Sequence, residues 1–248
     1  MAVTISARVQ RFARSLCQCL VITLACLVPA VGFAAGNQAG DKQKSGGRDM
    51  SAHLVIIGAS YAKGWNPESI AGLKIVNRGA GGEQTHEVLA RFEKDAVSSK
   101  PRAVIIWGFI NDLFRSSQDE IESKLVRTRA NIVAMVDMAR KHGVVPIVAT
   151  EVTLPVPDGW LDRMMGWIGS LRGKQSQEQY INGHVQEINR WLRQYAAENR
   201  VALLDFEKVL ADQSGGRKPE YTTQDGTHLS AKAYSALSSY VAQQKIGL

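Results

Sequence analysis

Four short stretches carry side chains that can do chemistry together. Ser60 ends the apolar run His53-Leu54-Val55-Ile56-Ile57-Gly58-Ala59-Ser60. Asp225-Gly226-Thr227-His228 sets a carboxylate three residues before an imidazole. On a loop, that spacing lets the carboxylate orient the ring through one nitrogen and leaves the other free to take a proton. A serine hydroxyl needs such a base to attack a carbonyl at neutral pH. Asn77-Arg78-Gly79-Ala80-Gly81-Gly82-Glu83 has glycines that let backbone N–H groups approach a ligand closely. Trp107-Gly108-Phe109-Ile110-Asn111-Asp112 brings a carboxamide donor. A glycine N–H, the Ser60 N–H and the Asn111 side chain are donors of the kind that stabilise the oxyanion of a tetrahedral intermediate. Each stretch also has a plainer reading. Ser60 can be a helix cap, the glycines a helix-entry turn, Asn111 an Asx turn, and Asp225 a turn cap beside a surface His228. Four such stretches at successive edges of one sheet are much harder to read as turns.

The elements around them supply that edge. Leu54–Gly58, Leu73–Asn77, Ala103–Trp107, Val144–Ala149 and Val201–Asp205 are short, mainly apolar and, as a set, rich in Val and Ile. That composition suits strands covered on both faces of a parallel sheet. Helix signals alternate with them. Glu83 to Val97 follows the glycines. Ser117 with Glu120 forms a capping-box pattern ahead of Ile121, Leu125, Ile132, Met135 and Ala139. Ser176 with Gln179 opens a second helix, and Ser230 opens the last one, which runs to about Gln243. The pattern predicts a three-layer α/β/α flavodoxin-like fold with a five-stranded parallel sheet in the order 2-1-3-4-5. In that order the first strand is central, and Ser60 stands near the switch point where open α/β sheets bind ligands.

With these stretches in place, the chain resembles the SGNH (GDSL-like) hydrolase family from about His53 to Gln243. The resemblance implies that Ser60 is the nucleophile and that Asp225 and His228 are its carboxylate and base. It implies Ser60, Gly82 and Asn111 as the oxyanion hole, with Gly81 the alternative to Gly82. Gly64 and Trp65 also fit the first block of the family. Two positions depart from the family pattern. Ala59 stands where an Asp usually precedes the Ser, and Phe109 stands where a Gly usually sits two before the Asn, with Gly108 one place earlier. Phe109 and Ile110 are therefore expected to shape the pocket. The α/β-hydrolase elbow is a poorer match, because that fold places several strands before its serine. There is no Rossmann fingerprint and no phosphate loop.

The chain has 248 residues and a formal charge of +7. Arg8, Arg11 and Arg14 precede an apolar stretch from about Leu16 to Phe33, the layout of a secretory signal peptide cut near Ala34. The expected organisation is a signal peptide over 1–34, a flexible polar linker over 35–51 and a catalytic domain over 52–248. Cys17, Cys19 and Cys26 all lie in the signal segment, so the mature chain would have no disulfide, thiol nucleophile or thiolate metal site. Without the three signal arginines the charge is +4, too weak and dispersed to point to nucleic acid. A membrane is expected to be met only through the signal segment. No metal or organic cofactor is implied, and His53, His86, His142 and His184 read as structural or surface residues. Glu151 follows the fourth strand at the same edge and can reach a polar substrate or pair with an arginine. Asp158 to Lys174 carries Trp160, Met164, Trp167, Ile168 and Leu171 at helical spacing, either as a cap on the core or as a wall that offers Trp160 or Trp167 to an acyl chain or sugar. The expected function is that of an exported, periplasmic or extracellular, serine esterase acting on short acyl or acetyl esters, including acylated carbohydrate. The alternatives are a lysophospholipase or thioesterase for longer, lipid-like chains, a carbohydrate O-acyltransferase, and a non-catalytic glycan-binding protein.

Overall fold

A computed structural model describes residues 52–156, 176–244 and 246. Its centre is the strand β1, His53–Gly58, in which Leu54, Val55, Ile56 and Ile57 have no exposed surface. Side chains covered on both faces are what a central parallel strand requires, and each such aliphatic contributes about 1.5–3 kcal/mol on burial. The other strands are β2 (Ser69–Ile70), β3 (Leu73–Gly79), β4 (Ala103–Trp107), β5 (Val145–Ala149) and β6 (Ala202–Leu204). They form one sheet in the order β2-β3-β1-β4-β5-β6. All neighbours are parallel except β2 and β3.

The five predicted strands are present in the predicted order. The sheet has a sixth, the two-residue β2, which makes it mostly rather than wholly parallel. β2 folds straight back on β3 and covers only Leu73 and Lys74 of its outer edge, as a very short antiparallel strand. Register decides where the loops go. Gly58 pairs with Gly79 on one side and Trp107 on the other, so β1, β3 and β4 end level and their following loops leave along one edge.

The helices are α1 (Ser60–Gly64), α2 (Thr85–Phe92), α3 (Ile110–Phe114), α4 (Ile121–Lys141), α5 (Gln177–Asn199), α6 (Phe206–Leu210) and α7 (Ala231–Gln243). α2, α4 and α5 form one layer, and α1, α6 and α7 belong to the other. α2 begins at Thr85, two residues later than expected, because Gln84 closes a reciprocal capping box with Glu87; after Phe92 it loosens into a π-helical turn, Glu93–Val97. The box expected at Ser117 does not cap α4. The Ser117 hydroxyl donates to the Glu120 carboxylate at 2.8 Å and not to the helix backbone, so α4 starts at Ile121. Ser176 and Ser230 do cap α5 and α7. The signal segment, the linker and the Asp158–Lys174 insert, with Trp160 and Trp167, lie outside the described residues.

Candidate active site

Ser60 is the first residue of α1, which leaves β1 through Ala59. α1 is held from three sides. Tyr61 and Trp65 sink into an aromatic cluster with Trp107 and Phe206, in which the Trp65 and Phe206 ring centroids are 5.2 Å apart and those of Trp107 and Phe206 4.7 Å apart. The Trp65 indole donates to Ser238 of α7 at 3.0 Å. From β3, the Asn77 carboxamide donates to the Ala62 and Trp65 carbonyls, both at 2.8 Å, and accepts from the Gly79 N–H at 2.8 Å. Asn77 thus ties the end of the Ser60 helix to the strand that opens the glycine loop. Ala59 is almost fully buried, beneath Gly108. Gly108 has φ +138°, and a Cβ there would lie 2.8 Å from the Ala59 nitrogen. The glycine one place early in the third stretch is therefore needed for the close approach of β4 to the serine turn.

The glycine loop folds back onto β1. The Ala80 N–H donates to the Gly58 carbonyl at 2.9 Å, and Arg91 reaches the same carbonyl at 3.3 Å while holding Glu83 at 2.6 Å. Gly82 has φ +78°, the left-handed region that favours glycine, whereas Gly81 has open space around its Cα and no such φ. The Asn111 carboxamide donates to the Glu83 carbonyl at 2.9 Å, which sets its side chain beside the Glu83–Gln84 peptide, one residue past Gly82, with one N–H to spare. Among the described residues, neither the Ser60 nor the Gly82 N–H has a hydrogen-bond acceptor.

Two buried carboxylates fix Asn111. Asp112 accepts from the Thr85 N–H at 2.8 Å and the Thr85 hydroxyl at 2.7 Å, binding α3 to the start of α2. Glu151 accepts from the N–H of Phe109 at 2.7 Å, of Ile110 at 3.1 Å and of Val152 at 3.1 Å. Burial pushes both carboxyls up, against the hydrogen bonds that favour the charged form. Glu151 has no exposed surface, and Phe109 and Ile110 are 1% and 3% exposed. This corrects the expectation that these three line a substrate pocket. Phe109 and Ile110 pack into the core, and Glu151 spends its lone pairs on the turn that carries Asn111.

Asp225 and His228 lie on the loop between α6 and α7. His228 Nδ1 is 2.7 Å from one Asp225 carboxylate oxygen. The other oxygen accepts from the Thr227 N–H at 2.8 Å, the His228 N–H at 2.9 Å and the Thr223 hydroxyl at 2.7 Å. The bonds from the His228 backbone and ring, then those from Thr223 and Thr227, hold the Asp225 carboxyl far below the usual carboxylate range. An ionised carboxylate only accepts, so Nδ1 carries the proton and Nε2 presents its lone pair. The loop meets α1 through Tyr61, whose hydroxyl donates to the Thr227 carbonyl at 2.8 Å. The residue after Ser60 is thereby bonded to the residue before His228. No hydrogen bond joins Ser60 to the His228 ring in this structure; such contacts commonly tighten only with substrate present.

Tyr61, Asn77 and Asp112 make contacts around the site that sequence reasoning did not assign. Their partners lie far along the chain, and none has a local signature beyond an Asn near a strand end. His53, His142 and His184 face Ser99, Glu93 and Glu187 and stay structural or surface groups. Among the described residues, no group of three or more His, Cys, Asp or Glu side chains could hold a metal ion.

Ser60, Gly82, Asn111 and the Asp225–His228 pair thus stand on loops and helix starts of a flavodoxin-like fold with a mostly parallel sheet. The sequence matches the GDSL-like lipase/acylhydrolase family over residues 57–236, and the chain belongs to that family, whose general chemistry is ester hydrolysis. Over 87 residues, 35% of this chain, it is 32% identical to an uncharacterized lipoprotein, YqeF, of Bacillus subtilis; the match spans only 35% of that relative's length. Among solved structures it is similar to a GDSL-like lipase of Bacteroides thetaiotaomicron, with TM-score 0.59 and 19% identity over 78% of this chain and 87% of that one. It is also similar to an acetylxylan esterase of Geobacillus stearothermophilus, with TM-score 0.57 and 17% identity over 76% of this chain and 91% of that one. At these identities the likeness to solved structures is one of fold.

Proposed function

We propose that the chain is an exported serine esterase that cleaves short acyl esters, acetyl above all, through an acyl-enzyme. The observation that carries this reading is the Asp225–His228 pair, with Nδ1 2.7 Å from the carboxylate, whose loop is bonded through Tyr61 to the start of the Ser60 helix. Ser60 Oγ attacks the ester carbonyl carbon as its proton passes to His228 Nε2. The oxyanion is held by the Ser60 N–H, the Gly82 N–H and the spare Asn111 N–H. The proton then passes from Nε2 to the leaving alkoxide, which departs as the alcohol. Water attacks the acyl-enzyme with Nε2 as base, releasing the acid and returning the proton to Ser60.

A groove of about 390 Å³ runs beside the Asp225–Thr227 backbone between Phe114, Leu154 and Glu178, and offers room for the alcohol part of the ester. An acylated carbohydrate suits that mixed polar and apolar wall, and an acetylxylan esterase is one enzyme that shares the fold. Export rests on the arginines and apolar stretch ahead of Ala34 and on the similarity to a lipoprotein. In this reading residues 1–34 are the signal peptide, 35–51 the linker and 52–248 the catalytic domain. Among the described residues no helix is long and apolar enough to cross a membrane.

The test is a chain-length series of p-nitrophenyl esters with wild type and Ser60→Ala. Acetate should turn over faster than octanoate or laurate, and Ser60→Ala should be inactive. A preference for the long esters would assign a lipid-like substrate instead, and full activity in Ser60→Ala would overturn the serine mechanism.

A further inference from the structure

Arg217 has no exposed surface, yet among the described residues no carboxylate lies within ion-pair distance of its guanidinium. One nitrogen donates to the Thr227 carbonyl at 2.8 Å and to the Gly226 carbonyl at 3.3 Å. A second donates to the Tyr61 hydroxyl at 3.3 Å, and the guanidinium carbon sits 5.8 Å from the Tyr61 ring centroid. The third, Nε, is buried without a partner. Its charge favours the ionised form of the buried Glu151, the carboxylate that pins the Asn111 turn. Holding a charge in this way is costly, and an apolar side chain of similar volume in such a place commonly leaves a fold as stable or more so. Stability alone therefore does not explain an arginine here.

What Arg217 and Tyr61 share is the carbonyl of Thr227. The Tyr61 hydroxyl donates to it and accepts from Arg217, closing a three-way junction between α1, the segment after α6 and the His228 loop. These partners are 166, 156 and 10 residues apart in the chain. The remaining hydrogen bonds of Gly226, Thr227 and His228 run to Thr223 and Asp225, inside the loop itself. Asp225 and His228 are each about half exposed, 52% by side chain, so packing does little to hold them. Among the described residues, the hydrogen bonds that tie the loop to the Ser60 helix are those of this junction. Arg217 is itself anchored from behind, its N–H donating to the Leu154 carbonyl at 3.2 Å and its backbone paired with Ala211.

We infer that Arg217 and Tyr61 are positioning residues that set the approach of His228 to Ser60 by clamping the Thr227 carbonyl. The inference rests on the reading of Ser60 as nucleophile and His228 as base. Burial raises the Tyr61 hydroxyl well above the ordinary tyrosine range, so it remains a donor throughout the working pH range. Misplacement of a reacting group by about an ångström costs on the order of 10²-fold in rate without altering ground-state binding. Tyr61→Phe keeps the ring and removes only the hydroxyl, whereas Arg217→Met removes the fork while keeping much of the volume.

The experiment measures kcat and KM for p-nitrophenyl acetate in the full chain for wild type, Ser60→Ala, Tyr61→Phe, Arg217→Met and the double variant, with thermal melts of each. Tyr61→Phe should lower kcat about 10-fold and Arg217→Met about 10²-fold. KM should stay within about twofold, and melting temperatures should not follow the loss in kcat. The double variant should be no worse than Arg217→Met, since both changes act on one carbonyl. Unchanged kcat in Tyr61→Phe and Arg217→Met, or losses that merely track the unfolded fraction, overturns the clamp. If Arg217→Met does not fold, unchanged kcat in Tyr61→Phe still overturns it. Full activity in Ser60→Ala overturns the nucleophile reading, and the clamp with it, which separates the two failures.

Discussion

Glu151→Gln is the most informative single perturbation of the oxyanion side. One carboxylate oxygen accepts the Phe109 and Ile110 N–H groups at 2.7 and 3.1 Å, and the other accepts the Val152 N–H at 3.1 Å. Glutamine has one acceptor oxygen. Its better placement keeps Phe109 and Ile110 satisfied and turns an amide NH₂ onto the Val152 N–H, donor against donor. The change removes one hydrogen bond to a charged acceptor, about 1.5–3 kcal/mol, and leaves a buried N–H unmet, about 1–3 kcal/mol. Relief of the carboxylate's desolvation offsets part of this, leaving a net cost of about 2–3 kcal/mol. For a domain of this size each kcal/mol shifts the melting temperature by about 2–4 °C, so a fall of about 4–12 °C is expected. The weakened turn also loosens the start of α3, and kcat should drop about 10-fold with KM little changed. Circular-dichroism melts and p-nitrophenyl acetate kinetics measure both. A melting temperature within about a degree of wild type, or an unchanged kcat, would refute the view that Glu151 staples the Asn111 turn.

Asp225→Asn should lower kcat by about 10²–10⁴-fold, because the amide oxygen suits the Thr227 and His228 N–H groups and the NH₂ then faces Nδ1, forcing the imidazole proton onto Nε2. Asp225 is depressed in the folded state, so its contribution to stability is present above the usual carboxylate pKa near about 3.9 and is lost as pH falls toward its folded value; melts from pH 6 to 2 should be shallower for the variant. Gly82→Ala must take a left-handed φ with its Cβ 3.2 Å from an Arg115 nitrogen, and should cost about 1 kcal/mol and most of the activity, whereas Gly81→Ala meets open space and should leave both nearly unchanged. Equal effects at the two glycines, measured by melts and turnover, would contradict the choice of Gly82.

The fold could be read from sequence wherever burial wrote a pattern. β1, β4 and β5 are apolar runs because both faces are covered, β3 and β6 were caught by their Val, Ile and Leu although they are only partly buried, and the strand order followed from alternation with helices. β2 escaped because two residues, Ser69 and Ile70, carry no period. The start of α4 was misplaced because Ser117 and Glu120 satisfy each other and not the helix. At the site, the Asp225–His228 contact is three residues long and therefore visible. Arg217, Glu151 and Asn77 were not readable in their roles, since one polar residue bonded to backbone 10 to 42 residues away has no spacing to announce it. The support that Ala59 does not supply to the serine turn comes from Asn77 on β3, from Gly108 above it and from the Tyr61 junction with Thr227.

The most direct measurement is covalent labelling. Wild-type protein treated with a fluorophosphonate should gain one adduct, and peptide mass spectrometry should place it on Ser60, with Ser60→Ala unmodified and His228→Ala labelled far more slowly. An adduct on another residue, or none on a folded wild type, would contradict a nucleophile at the end of β1.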